Sequence, residues 1–131
     1  MQVYVAGRFH HQDHVTRVMD RVRDAGHQLT ADWTQHDPIK PYKDNPETSR
    51  AYAKEDAYKD NPETSRAYAK EDVDGAEEAD VFILIANETG RGSHAELGVA
   101  LATNTEHIYV IGDKRQDCMF YYHPDVKQRS D

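Results

Sequence analysis

Hydrophobic positions change their spacing along the chain, and each spacing predicts an element. Val3 and Val5 flank Tyr4 in Gln2 to Ala6, a short β run ended by Gly7. Val15, Val18, Met19, Val22 and Ala25 recur at helical intervals, so a helix is expected over 12–25, with Gly26 as its stop. Gln28 to Trp33 reads as a second strand. Val73 to Ala79 reads as the end of a helix. The run VFILIA, within Asp80 to Ala86, is continuously apolar, as in a strand covered on both faces. Gly92 to Thr103 is expected to be helical, with Ala95, Val99 and Ala102 near one face. IYVIG, within His107 to Gly112, reads as another buried strand. The aromatic tail CMFYYHPDV is expected to pack, on this chain or on a second subunit. Alternating strands and helices imply an α/β fold of three layers, α/β/α, with a parallel, doubly wound sheet of flavodoxin or Rossmann type. Such sheets bind ligands at the carboxyl ends of their strands. Gly7-Arg8-Phe9, Asn87 to Glu96 and Gly112-Asp113 should converge there.

A perfect internal repeat interrupts this alternation. YKDNPETSRAYAKED occurs at 42–56 and again at 58–72, identical at all 15 positions with a period of 16. Solenoid repeats drift and need several copies. Two perfect copies inside a chain of 131 residues read instead as a tandem duplication within one domain spanning 1–131. Each copy reads as a turn and a short helix, with Asn45 or Asn61 as cap and Pro46 or Pro62 at the first helical position. Sixteen residues of continuous helix would turn the second copy by about 160° relative to the first, so the two could not share one buried face. The second copy runs directly into VDGAEEADVFILIA and is expected to take the structural place. The first is then a polar insertion of small cost.

Charge narrows the partners. The formal net charge is −8, with 24 acidic against 16 basic residues. That balance argues against nucleic-acid polymers and anionic membranes, both of which need a basic face. No apolar stretch approaches the length of a membrane span. The N-terminus lacks the basic and apolar regions of a signal peptide, so a cytoplasmic location is expected. The single cysteine, Cys118, has no activating pattern around it and reads as a packing residue in a reducing compartment. His10, His11 and His14 lack the carboxylate or thiol that would complete a zinc set, so neither metal nor cofactor is expected.

The chemistry concentrates in DVFILIANETGRGSHAELGVALA. A buried strand enters a glycine-rich turn, and the helix after it carries Glu96 near its start. Backbone N–H groups at such a start can hold an anion or a sugar oxygen. The glycines at 90, 92 and 98 fit neither the dinucleotide fingerprint nor a P-loop. On this segment alone, Glu96 could equally be an acidic residue complementing the helix dipole.

VYVAGRF, EDVDGAEEADVFILI, GRGSHAELGVALA and IYVIGD, in that order, resemble the nucleoside 2-deoxyribosyltransferase family and its relatives, the 2′-deoxynucleoside 5′-monophosphate N-glycosidases. The resemblance covers nearly all of the chain outside the repeat. It implies that Glu96 is the nucleophile, that Tyr4 orients it, and that Asp72, three positions before Gly75, handles the proton on the nucleobase. It also implies a homodimer or higher homo-oligomer with shared active sites, to which Asp117 and Met119 would contribute. The reaction implied is cleavage of the N-glycosidic bond of a 2′-deoxynucleoside or its 5′-monophosphate, by hydrolysis or base transfer, through a glutamyl-glycosyl intermediate. Retaining enzymes of this kind place two carboxyls about 5 Å apart.

This chain departs from the family where transferases carry an aspartate six residues before the nucleophile; here Gly90 stands there. Arg91 follows it, and Arg8 occupies a position that is apolar in many relatives. Arg8, Arg91, Ser93 and the helix start would suit a phosphate, which favours a nucleotide-type substrate or a phosphorylated sugar; the bland alternative is that one or both arginines form surface ion pairs. Gly7, Phe9, Gly92 and His94 complete the expected substrate contacts. Trp33 reads either as a base-stacking residue or as core. Two other functions share the pattern: a nucleotide-binding module without turnover, and a glycohydrolase of NAD-like ligands.

Overall fold

The apolar run at Val81–Ile85 forms the middle strand of a five-stranded sheet. The computed structural model describes residues 1–7, 12–35, 61–86, 91–112 and 118–130. Its strands are β1 (Gln2–Ala6), β2 (Gln28–Leu29), β3 (Val81–Ile85), β4 (His107–Ile111) and β5 (Val126–Arg129). Its helices are α1 (Gln12–Asp24), α2 (Pro62–Glu78) and α3 (Arg91–Ala102), with 3₁₀ turns at Trp33–Gln35 and Met119–Tyr122. Every pairing is parallel, in the order β2-β1-β3-β4-β5. This is the flavodoxin-like order, whose direction reverses between β1 and β3 and leaves a crevice beyond their carboxyl ends.

The helices divide between the faces because right-handed crossovers running in opposite directions along a sheet land on opposite sides. α1 packs on β1 and β2, while α2 and α3 pack on each other and reach β1 and β3. Register sets Tyr4, Phe82 and Ile108 side by side on the α2–α3 face. Phe82, Leu84, Ile108 and Val110 are fully buried beneath that layer. On the other face Val15, Met19 and Val22 of α1 are buried, as their spacing predicts, whereas Ala25 is exposed. Gly7 lets α1 come close: a Cβ there would lie 2.5 Å from Val15 Cγ2. Gly26, at φ +89°, ends the turn after α1.

Two expectations, the length of the second strand and the buried stripe of α3, need correction, and two open readings are resolved. The second strand is only two residues long, because the chain turns at Asp32 into the 3₁₀ segment. Asp32 accepts hydrogen bonds there from the backbone N–H and hydroxyl of Thr34, and pairs with Arg23. Trp33 is core rather than a platform for a base. It is 6% exposed, and its indole Nε1 donates to the Val5 carbonyl at 2.7 Å, beyond the part of β1 that β2 pairs. The buried stripe of α3 is Ser93, Leu97 and Ala100, while Ala95 and Ala102 are exposed and Val99 is half-buried. The tail adds a fifth strand, whose sequence VKQR holds too little apolar pattern to announce it.

Other expectations hold. Cys118 packs partly buried against the core. The second repeat copy supplies the start of α2, with Pro62 in the first turn; Asn61 stands at the N-cap but makes no side-chain capping bond. The first copy, 42–56, lies outside the described residues.

Candidate active site

Tyr4 is the floor of the site. Its ring stacks on Phe82 with centroids 5.8 Å apart and 9° between planes, which fixes it on the α2–α3 face. α2 crosses this ring at Gly75, where a Cβ would lie 2.9 Å from Tyr4 Cδ2 and 3.1 Å from Ala31 Cβ. The Thr30 hydroxyl donates to the Gly75 carbonyl at 2.7 Å and holds the helix there. Asp72 stands one helical turn earlier, which carries its carboxyl towards the phenol end of Tyr4. Glu96 approaches from α3, one turn after Gly92; a Cβ at residue 92 would be 3.9 Å from Glu96 Oε1.

These three side chains form one electrostatic unit. The Tyr4 hydroxyl and Glu96 Oε2 are both closed to solvent, and neither has a hydrogen-bond partner among the described residues. Glu96 as a residue is half-buried, so one part of it faces outward while Oε2 faces in. Burial pushes its carboxyl up to about 8; the neighbouring Tyr4 hydroxyl pulls it down, and the Asp72 charge pushes it up again. Tyr4 is held as a neutral phenol, first by its own burial and then by the charges of Glu96 and Asp72. The hydroxyl and the carboxyl are near enough to act on each other's protons. Such a site can hold a proton, release it, and present a carboxylate in a water-poor setting.

The remaining expected residues divide. Gly7 packs against α1. Gly92 is exposed on the first turn of α3. Ser93 is 3% exposed on the sheet side of that helix. His94 turns away from Glu96 and is hydrogen-bonded through Nε2 to the Tyr121 hydroxyl at 2.8 Å. Met119 is 76% exposed. Arg8, Phe9 and Asp117 lie outside the described residues, and Arg91 is described only as the first residue of α3. Tyr121 is the buried residue that sequence reasoning missed. In MFYY nothing in the spacing tells which aromatic turns inward, and Phe120 and Tyr122 on either side are exposed.

Among the described residues no group of three or more His, Cys, Asp or Glu could hold a metal ion. No helix there is long and apolar enough to cross a membrane.

A buried carboxyl, a second carboxyl and a phenol stand together beside the switch point of a parallel sheet, where α/β proteins of this class bind small ligands. The model of the nucleoside 2-deoxyribosyltransferase family matches residues 3–125, and the chain belongs to that family. The family acts at the N-glycosidic bond of nucleosides and nucleotides. Among solved structures, the fold is similar to that of the CMP N-glycosidase BcmB of Clostridium botulinum. The TM-score is 0.56 at 16% identity, over 98% of this chain and 87% of that one. No curated protein matches the chain.

Proposed function

We propose that this protein cleaves the N-glycosidic bond of a 2′-deoxynucleoside or its 5′-monophosphate, with Glu96 as nucleophile, Asp72 as acid and base, and Tyr4 orienting Glu96. The observation that carries this reading is that the Tyr4 hydroxyl and Glu96 Oε2 are both closed to solvent, with the Tyr4, Glu96 and Asp72 side chains close enough to shift one another's protons.

The reaction needs one proton shared between two carboxyls. At neutral pH the proton rests largely on Glu96. Its transfer to Asp72 leaves an ionised nucleophile beside a protonated acid. Glu96 then attacks C1′ as the bond to the base breaks, and Asp72 protonates the departing base. The product is a glycosyl ester on Glu96. In hydrolysis, water attacks C1′, Asp72 takes the water's proton, and Glu96 leaves as carboxylate. Return of the proton to Glu96 restores the start. Tyr4 steadies the carboxylate without being ionised itself.

In this reading Arg8 and Arg91 hold a 5′-phosphate, and the missing aspartate at Gly90 favours water over a second base as acceptor. The exposed side chains of Met119, Phe120 and Tyr122 supply a surface on which a second subunit could complete the pocket.

The test is release of free base from deoxynucleosides, deoxynucleoside monophosphates and CMP, separated chromatographically, with Glu96→Gln and Asp72→Asn alongside. Release by the parent protein, its loss in Glu96→Gln, and a glycosyl adduct mapped to Glu96 are expected. Ligand binding without any release would overturn the enzymatic reading and favour a binding module. Release confined to NAD-like ligands would move the substrate class.

A further inference from the structure

The position of Glu96 depends on the roll of α3 about its own axis. Its most buried stripe is Ser93, Leu97 and Ala100, with Val99 and Leu101 packed partly buried against the core beside it. Gly92, Ala95 and Gly98 add small residues around the same turns. A helix measures about 10–12 Å across with its side chains, so a roll of about 10° displaces a side-chain tip by roughly 1 Å. Misplacement of a catalytic group by that amount costs on the order of 100-fold in rate. Apolar packing is non-directional, so a directional contact adds to what fixes the roll.

His94 is placed to do so. Two residues of helix separate it from Glu96, which puts the two about 200° apart around the axis. Glu96 points to Tyr4 on one flank; His94 points to Tyr121 on the other. The His94–Tyr121 bond is 2.8 Å long, and the two rings meet at 5.6 Å with a tilt of 57°. Tyr121 is wholly buried and is itself fixed from behind. Its N–H donates to the Cys118 carbonyl at 2.9 Å, and its carbonyl accepts from Gln128 Nε2 of β5 at 3.0 Å. Burial holds His94 below the ordinary histidine value, so the ring is neutral at pH 7 and no charge is set against the core.

We propose that His94 and Tyr121 are positioning residues: their hydrogen bond sets the roll of α3 and thereby seats Glu96 against Tyr4. This rests on the assignment of Glu96 as nucleophile. The fifth strand acquires a role through it, since β5 anchors the turn that anchors the helix.

Tyr121→Phe keeps the ring and its packing and removes only the hydroxyl. It is expected to lower kcat about 10- to 100-fold with KM within about twofold. His94→Ala should behave alike. His94→Gln, whose amide reaches the place of Nε2, should recover most of the loss. Carboxyl NMR on labelled protein supplies a readout that needs no turnover: the Glu96 midpoint should fall towards the ordinary carboxylate range in Tyr121→Phe as the side chain loses its buried seat. An unchanged kcat in Tyr121→Phe overturns the proposal. So does a loss of thermal stability with the Glu96 titration unmoved, which marks a purely structural bond, and so does a change confined to KM. If the parent protein releases no base, the functional assignment fails, while the Glu96 titration still decides the coupling.

Discussion

Gly75 lies flat against the ring of Tyr4, with no room between them for a methyl group: a Cβ at residue 75 would come within 2.9–3.0 Å of two ring carbons. The close approach lets α2 place Asp72 over the same ring whose hydroxyl faces Glu96. Gly75→Ala would gain up to about 1 kcal/mol in helix propensity. It would lose about 1–3 kcal/mol to overpacking, because the ring is clamped by Phe82 and cannot retreat. A net fall in stability, read by urea unfolding, is expected, with activity falling further than stability alone explains.

Glu96 makes folding depend on pH in a defined window. Its folded value, about 8, stands above the model value of 4.5. Below pH 4.5 the group is protonated in both folded and unfolded chains, and the folded state carries no penalty from it. Between 4.5 and 8 the unfolded chain gives up the proton and the folded one keeps it, so stability falls as pH rises, then levels off above 8. Glu96→Gln is neutral throughout. It should unfold like the parent at low pH and become the more stable protein from neutral pH upward, by a few kcal/mol at most. Denaturation curves at several pH values check this; parallel pH dependences for the two proteins would refute it.

Activity should fall at the upper edge of the same window. The reaction uses the one proton that the two carboxyls share, so kcat/KM is expected to fall as pH rises through the Glu96 midpoint of about 8, where that proton is lost and no acid remains for the departing base. The Tyr4 hydroxyl pulls that midpoint down. Tyr4→Phe should therefore shift the falling limb to higher pH as well as lower the rate. A limb that stays in place while the rate drops would leave Tyr4 a packing role only.

The duplicated segment yields a deletion test. Removal of 42–57 regenerates a single-copy chain in which Asp72 and Gly75 keep their spacing. The second copy already supplies α2, so the shortened chain should fold, with a melting temperature within a few degrees of the parent, and should keep base release. Loss of folding in the shortened chain would give the first copy a structural part.

What the sequence disclosed follows the strength of its patterns. Val81–Ile85 and His107–Ile111 are wholly or largely apolar because they run through the middle of the sheet, and they were legible. The trio of Tyr4, Asp72 and Glu96 was named from family resemblance; their meeting depends on Gly75 and on the register of β1 with β3, which no local pattern encodes. β2 misled because Trp33 is apolar for a different reason, to serve Val5 from the side. β5 was invisible because an edge strand with one apolar residue has no periodicity to show. His94 was named as a substrate contact because proximity in sequence to Glu96 hides the opposite flanks that a helix gives to residues two apart.

Asp72 closes the repeated unit, and the chain that follows it is unique. Slippage of the gene between the two identical stretches would add or remove 16 residues in whole codons, yet whichever stretch remained last would again deliver an aspartate three positions ahead of Gly75. The spacing of Asp72 from Gly75 is thus insulated from changes in length upstream of it, and this part of the protein can lengthen or shorten over generations without the proposed proton donor leaving its post.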